Sequence, residues 1–235
     1  MNEFITKALR GRKVLLGKDF YQFRQVKRST LEFGNRFASW VFSPDGLDEN
    51  SVVYSFGVGE DVSFDLQLIA DFRMDIHAFD PSPGSIAWVS NQDFPDGLHF
   101  YPFGLAAKDG QVHFMEPSEP GYHSLQIAET GIRSESRMDS HVLPVHRLPT
   151  ILQKLGHKRV DILKMDIEGA EYEVIGDVVD SPVPISQLLI EFHHRFENIG
   201  IGKTRQAIDR LNKAGFRIFN VSASGEEISF INTSL

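Results

Sequence analysis

The 235-residue sequence predicts an α/β protein built on a mainly parallel sheet, with helices on both faces and an antiparallel hairpin at its end. Three observations carry that prediction. From Ser51 onward, short apolar runs alternate with helical patterns. The runs are nearly unbroken, as strands covered on both faces require. The last two, Phe216–Ser222 and Ile228–Asn232, are joined by a turn containing Gly225, so they pair antiparallel.

Taken in order, residues 2–10 read as a short helix, with Phe4, Ile5, Ala8 and Leu9 on one face. Residues 11–50 are mixed, and Ser43-Pro44-Asp45-Gly46 is a turn. Residues 1–50 are therefore read as an extension packed on a main domain spanning 51–235. Val52–Phe56 is the opening strand, residues 61–72 a mostly buried helix, Asp75–Phe79 a second strand and 84–90 a helix. His99–Leu105 reads as a third strand, and Gln111–Met115 alternates as a paired strand does. The stretch 116–140 is rich in Ser, Glu, Gly and Pro, and its length suits a functional loop over an acceptor pocket. Val142–Arg147 reads as a strand and Leu148–Leu155 as a helix with Pro149 in its first turn. Val160–Ile167 is a strand, followed by a helix from Gly169 to about Gly176. Gln187–His193 is a strand, and Lys203–Ala214 a helix stopped by Gly215.

Composition narrows the function. There is no cysteine, which rules out disulfides, thiolate metal sites and a cysteine nucleophile. Net charge is -8, and the basic residues are diluted except between Lys7 and Arg28, so nucleic acid is not an expected partner. That basic stretch reads as a solvated face able to touch an anionic partner. No apolar run approaches the ~20 residues of a membrane span, and the first twenty residues make a poor signal peptide. The expectation is a cytoplasmic protein, with a homo-oligomer left open.

The strand VVYSF leads into Gly57-Val58-Gly59 and the start of a helix. Glycines there let a ligand approach the backbone, and the helix start offers free N–H donors. A dinucleotide fingerprint wants a third small residue, and that position holds Val62, which weakens a nicotinamide reading. Without a phosphate to cradle, the loop suits a methionine moiety: donors for its carboxylate and Asp61 for its ammonium. The second strand ends in Asp80-Pro81-Ser82, about 20 residues on, where a carboxylate meets ribose hydroxyls. The alternative is that Asp80 caps the next helix.

Four strings, VVYSFGVGEDVSFD, HAFDPSP, GLAAKDGQVHF and DILKMDIEGAEYEVI followed by LLIEFHH, resemble the FkbM-type methyltransferase family, in the branch related to the methyltransferase-like proteins. The longest carries Lys164, Asp166, Glu168, Gly169, Ala170 and Glu171 in the family's Lys-x-Asp-x-Glu-Gly-Ala-Glu pattern, and the match runs from about Ser51 to Leu235. The resemblance implies a Rossmann-like class I methyltransferase fold with a seven-stranded sheet. It also implies S-adenosylmethionine as cofactor and a hydroxyl on a sugar, polyketide or other small molecule as methyl acceptor. Ser55 stands where many members carry Asp or Glu, so Glu60 or Asp61 is the candidate for the methionine ammonium. Ser55, Gly57, Gly59, Glu60, Asp61, Asp80, Ser82 and Leu105 form the cofactor-side set.

On the acceptor side, Asp166 and Glu168 end one strand, and Glu191, His193 and His194 end the next. Asp166, Glu191 and His193 are the catalytic candidates. In one mechanism His193, His194 or Asp166 is the general base. In the other, Asp166 and Glu191, with a histidine, hold Mg²⁺. Alternation of side chains along a strand puts at most one of His193 and His194 in the site. Glu171 reads as favouring the next helix N-terminus, Lys164 as snorkelling or pairing, and Trp40, Phe42 and Tyr54 as core. An NAD(P)-dependent oxidoreductase and a non-catalytic scaffold that keeps the fold are the alternative functions.

Overall fold

The computed structural model describes residues 3–36, 38–115, 126–127, 140–196 and 199–235. The chain opens with α1 (Glu3–Leu15), β1 (Leu31–Phe33) and β2 (Trp40–Phe42). Then come β3 (Val53–Phe56), α2 (Ser63–Phe72), β4 (Ile76–Phe79), α3 (Pro83–Val89) and β5 (Leu98–Tyr101). A second group is β6 (Gly104–Leu105), β7 (Gly110–Met115), β8 (Gln126–Ile127) and β9 (Ser140–His146). The chain ends with α4 (Leu148–Leu155), β10 (Val160–Met165), α5 (Glu171–Val179), β11 (Ile185–Glu191), α6 (Gly200–Lys213), β12 (Phe216–Val221) and β13 (Glu227–Asn232).

Seven strands form the main sheet in the order β12-β13-β11-β10-β3-β4-β5. Neighbours from β5 to β11 pair parallel, and β13 is antiparallel to both β11 and β12. This is the mainly parallel sheet, with the closing hairpin inserted, that the sequence predicts. The chain runs outward from β3 through β4 to β5, then returns to build β10 and β11 on the other side. The order therefore reverses between β3 and β10, and open α/β sheets bind ligands at such a reversal, beyond the strand C-termini.

The two sheet faces carry separate cores. Tyr54, Phe56, Leu163, Met165, Leu188 and Ile190 point to the side covered by α4, α5 and α6. Val53, Ile76, Ile162 and Leu189 point the other way, against Phe64 and Leu68 of α2 and Trp40 and Phe42 of β2. Residues 1–50 thus supply part of one cover. Gln187 reinforces the seam: its side chain accepts from the Ser43 N–H at 2.9 Å and donates to the Ser43 carbonyl at 2.8 Å.

Three boundaries differ from the sequence reading. The predicted third strand, His99–Leu105, is two strands in two sheets: β5 belongs to the main sheet, while β6 pairs with β9 in a four-stranded sheet ordered β6-β9-β7-β8. Pro102 has no N–H to continue the ladder, and the Phe103 N–H folds back on the Tyr101 carbonyl at 2.9 Å, turning the chain out of the sheet. β11 ends at Glu191: the Phe192 N–H still reaches the Glu226 carbonyl at 2.9 Å, but the His193 N–H goes to the Glu171 carboxylate at 3.0 Å, off the ladder. His193 and His194 therefore lie in the loop beyond the strand. The first helix continues to Leu15, past the predicted end at residue 10. The acceptor-side loop expected over 116–140 lies outside the described residues apart from β8 and the start of β9. Among the described residues no helix is long and apolar enough to cross a membrane.

On one face of the sheet, Tyr54, His77 and His99 sit side by side across β3, β4 and β5. The Tyr54 hydroxyl lies 2.8 Å from His157 Nδ1, and His77 Nδ1 lies 3.1 Å from the Tyr101 hydroxyl. Burial, with the nearby rings of His157 and His99, holds the His77 pKa down at about 4. The unfolded chain takes up this proton near pH 6.5, whereas the folded chain resists it until about pH 4. Folding stability is therefore expected to decline as pH falls across that window. Urea midpoints measured through it should show a shallower slope for His77→Phe than for the parent.

Candidate active site

The opening strand ends at the glycine turn because the chain there must pass against β10. Gly57 has φ +72°, and a Cβ on it would lie 1.6 Å from the Asp166 carbonyl oxygen. The Gly57 N–H donates to the Phe79 carbonyl at 3.0 Å, and the Asp166 N–H to the Phe56 carbonyl at 3.1 Å. The glycine turn and the acidic strand end thus share one wall. Gly59 differs: at φ +54° its missing Cβ would meet no atom within 4 Å, so the backbone there borders open space.

Asp80 lies against this turn from the end of β4. It is 7% exposed; its Oδ2 accepts from the Gly59 N–H at 2.9 Å and its Oδ1 from the Ser82 N–H at 2.8 Å. Each oxygen keeps a second lone pair for a hydroxyl donor. Capping of α3 falls to Ser82, whose hydroxyl accepts from the Ser85 N–H at 3.3 Å, so the alternative role for Asp80 is taken by its neighbour.

Other cofactor-side candidates are placed less directly. Asp61 accepts from the Ser63 N–H at 2.8 Å and from the Asn35 side chain, one on each oxygen. Glu60 is exposed beside Gly84. Ser55 is fully buried on the α2 side of the sheet, away from the rim, and Leu105 is buried on β6 in the core against α4–α6. Val62 packs with Val58 and Ala78 ahead of α2.

Under the turn lies a polar group that the sequence reading only half anticipates. Lys164 is buried, with its Nζ 3.4 Å from the Gly57 carbonyl and 5.0 Å from the centre of the Trp40 ring. Burial pushes the Asp65 carboxyl up to about 6, against the pull of the Lys164 charge.

At the acceptor-side end, register pairs Met165 with Ile190, so Asp166 and Glu191 leave adjacent strands together. His193 comes over them from the loop. Its Nε2 lies 3.6 Å from Asp166 and 3.3 Å from Glu168, and its Nδ1 3.1 Å from Glu171. Glu171 has no exposed surface and also accepts the His193 and Gly169 N–H groups at 3.0 and 2.9 Å. It clamps the histidine loop from the first turn of α5. Its position at a helix start gave a sufficient reason for a carboxylate, which concealed the clamp; the nearby His-His pair was the available signal. Glu168 adopts φ +54°, a left-handed conformation that costs a non-glycine residue roughly 1–2 kcal/mol and here turns its carboxylate toward His193.

His194 goes elsewhere. Its Nε2 lies 3.3 Å from Asp19, which also accepts from Arg195 at 2.6 Å and lies 3.8 Å from Arg10. Arg10, from the stretch read as a solvated face, is buried here because Asp19 and the Phe20 carbonyl receive its charge and donors. Removing a buried partner leaves charges unpaired. Asp19→Ala is accordingly expected to lower unfolding free energy by about 3–5 kcal/mol, read by urea denaturation.

A family model described as the "Methyltransferase FkbM domain" matches residues 49–218. The chain belongs to the FkbM methyltransferase domain family. Human "Probable methyltransferase-like protein 24" is 24% identical to this FkbM domain over 179 residues, which covers 72% of the chain and 42% of that protein. The rat protein of the same description is 23% identical over the same share of each. The chain therefore spans about two fifths of the length of these curated relatives. Among solved structures, Aeropyrum pernix fibrillarin with bound S-adenosyl-L-methionine is similar at TM-score 0.40 and 12% identity, over 78% of this chain and 66% of that one.

The electrostatics of the FkbM site follow from its crowding. Burial opposes a charged His193 ring, but Glu171, Glu168 and Asp166 outweigh it and push its pKa up to about 10. Burial, then the neighbouring Asp166 charge, lifts Glu191 to about 9. Asp166 is also raised by burial, against the pull of Lys164 and His193. At neutral pH this FkbM domain presents a cationic imidazole above two carboxyls that resist joint ionisation. Asp166, Glu191 and His193 each offer a ligand atom within 4.8 Å of the others. A divalent ion bound there would have to displace the His193 proton, so ion and proton compete for the same three side chains.

Proposed function

We propose that this domain transfers a methyl group from S-adenosylmethionine to a hydroxyl oxygen of a small molecule. The observation that carries the reading is the shared wall at the sheet's reversal point. Gly57 presses on the Asp166 backbone, which puts the cofactor-side turn directly beside the strand end that carries the acid pair. Family membership supports the reaction class, and the carboxyl pair supports oxygen as acceptor, because a hydroxyl must lose its proton.

The space at Gly59 and the spare lone pairs of Asp80 suit a methionine tail and a ribose respectively, without a phosphate cradle. The cofactor would supply a methyl group on a sulfonium sulfur, open to in-line displacement. Asp166 and Glu191 share one proton and together receive the acceptor's; a carboxyl raised by burial is a stronger base than a solvated one. His193, fixed by Glu171, stays protonated and balances the single negative charge that the pair carries until it takes the acceptor's proton. Mg²⁺ plays no part in this scheme.

Asp80→Asn is expected to weaken S-adenosylhomocysteine binding by about 10-fold in calorimetry, the loss of one charge-assisted hydrogen bond. Unchanged affinity would remove Asp80 from the cofactor site.

A further inference from the structure

Helix α1 packs inside out. Among its described side chains the buried one is Arg10, whose guanidinium donates to the Phe20 carbonyl at 2.9 Å, and Thr6, Lys13 and Val14 on the same side are partly covered. The opposite side carries Ile5, Ala8, Leu9 and Leu15, all exposed. A helix that gains stability by packing turns its apolar stripe inward; α1 does the reverse. The exposure continues into Leu16, Tyr21 and Phe23, with Leu15 at 90% and Phe23 at 77%. Six of the nine large exposed apolar side chains among the described residues fall between Ile5 and Phe23, a clustering that scattered surface residues do not produce.

Charge indicates what covers this patch. Residues 3–30 hold eight Lys and Arg against Glu3 and Asp19, in a chain whose net charge is -8. Of these, Arg12, Lys18, Arg24 and Lys27 are exposed among the apolar side chains. We propose that this N-terminal surface docks on an anionic phospholipid bilayer. Leu15, Leu16 and Phe23 enter the headgroup–acyl boundary, and the basic side chains meet lipid phosphates. Apolar residues interleaved with Lys and Arg are what an interfacial segment needs. A symmetric pairing of two copies through the same patch would instead set like charge against like. The docking is peripheral and independent of the chemistry proposed for the cleft.

Vesicle co-sedimentation tests it with the whole chain. Binding is expected to vesicles of equimolar phosphatidylserine and phosphatidylcholine and to be lost on pure phosphatidylcholine and in about 0.5 M salt. The double variant Leu15→Glu/Leu16→Glu, at positions exposed in the fold, is expected to lose binding at least ~10-fold, and Arg24→Glu/Lys27→Glu similarly. Absence of binding to the anionic vesicles, or equal binding by the Leu15→Glu/Leu16→Glu variant, would overturn the proposal. So would a lipid-free dimer of the parent that the same variant dissolves, which would assign the patch to a second copy.

Discussion

Asp166→Asn is expected to lower methyl-transfer turnover by about 10²–10⁴-fold, the range for loss of a general base, while leaving S-adenosylhomocysteine affinity within about 3-fold. The substitution keeps the shape of the side chain and the backbone carbonyl that meets Gly57. What it removes is a carboxylate able to take the acceptor's proton. Glu191→Gln should also cut turnover, with a second and opposite consequence for the fold. The Glu191 pKa stands at about 9 in the folded chain and near 4.5 unfolded, so the folded state holds a proton that the unfolded chain releases. Stability is thus expected to fall as pH rises from about 4.5 through about 9. Glutamine removes that penalty. At pH near 8 the variant should melt roughly 2–8 °C above the parent, with the difference vanishing near pH 4.5. A slower, more stable enzyme is the expected signature of the crowded acid pair. A variant that melts below the parent at high pH would contradict it.

The second large effect concerns the glycine turn. Gly57→Ala would drive a methyl group into the Asp166 carbonyl, 1.6 Å from its ideal position, with no flexible side chain to yield. Loss of at least ~3 kcal/mol is expected, enough to leave little folded protein on expression. Gly59→Ala meets open space and bears only the strain of its left-handed conformation, about 1 kcal/mol, so it should fold. Its methyl group would project into the proposed cofactor cleft, and S-adenosylhomocysteine binding should suffer. The pair separates the two duties of the turn: one glycine joins the strands, and the other leaves room. Circular dichroism melting and calorimetry on both proteins check this.

The alternation of strands and helices, the closing hairpin and the convergence of Asp166, Glu191 and His193 were legible because each depends on local pattern or on adjacency of parallel strands. Other features were not. The cover formed by Trp40 and Phe42 depends on where residues 1–50 return in space, which no local periodicity encodes. The break at Pro102 was visible as a proline, but the transfer of β6 to another sheet depends on β9, some forty residues later. Glu171 had a sufficient local explanation at a helix start, so its hold on His193 appears only when β11 and α5 are placed together. Arg10 reads as surface in a basic stretch until Asp19 and Arg195 are seen to enclose it.

The central claim is that the space beside Gly59 and Asp80 takes an adenosyl cofactor, and calorimetry tests it most directly. Titrating the purified chain with S-adenosylhomocysteine, then separately with NAD, is expected to give micromolar saturable binding for the first and no heat for the second. Binding of NAD in preference to S-adenosylhomocysteine, or of neither, would contradict it.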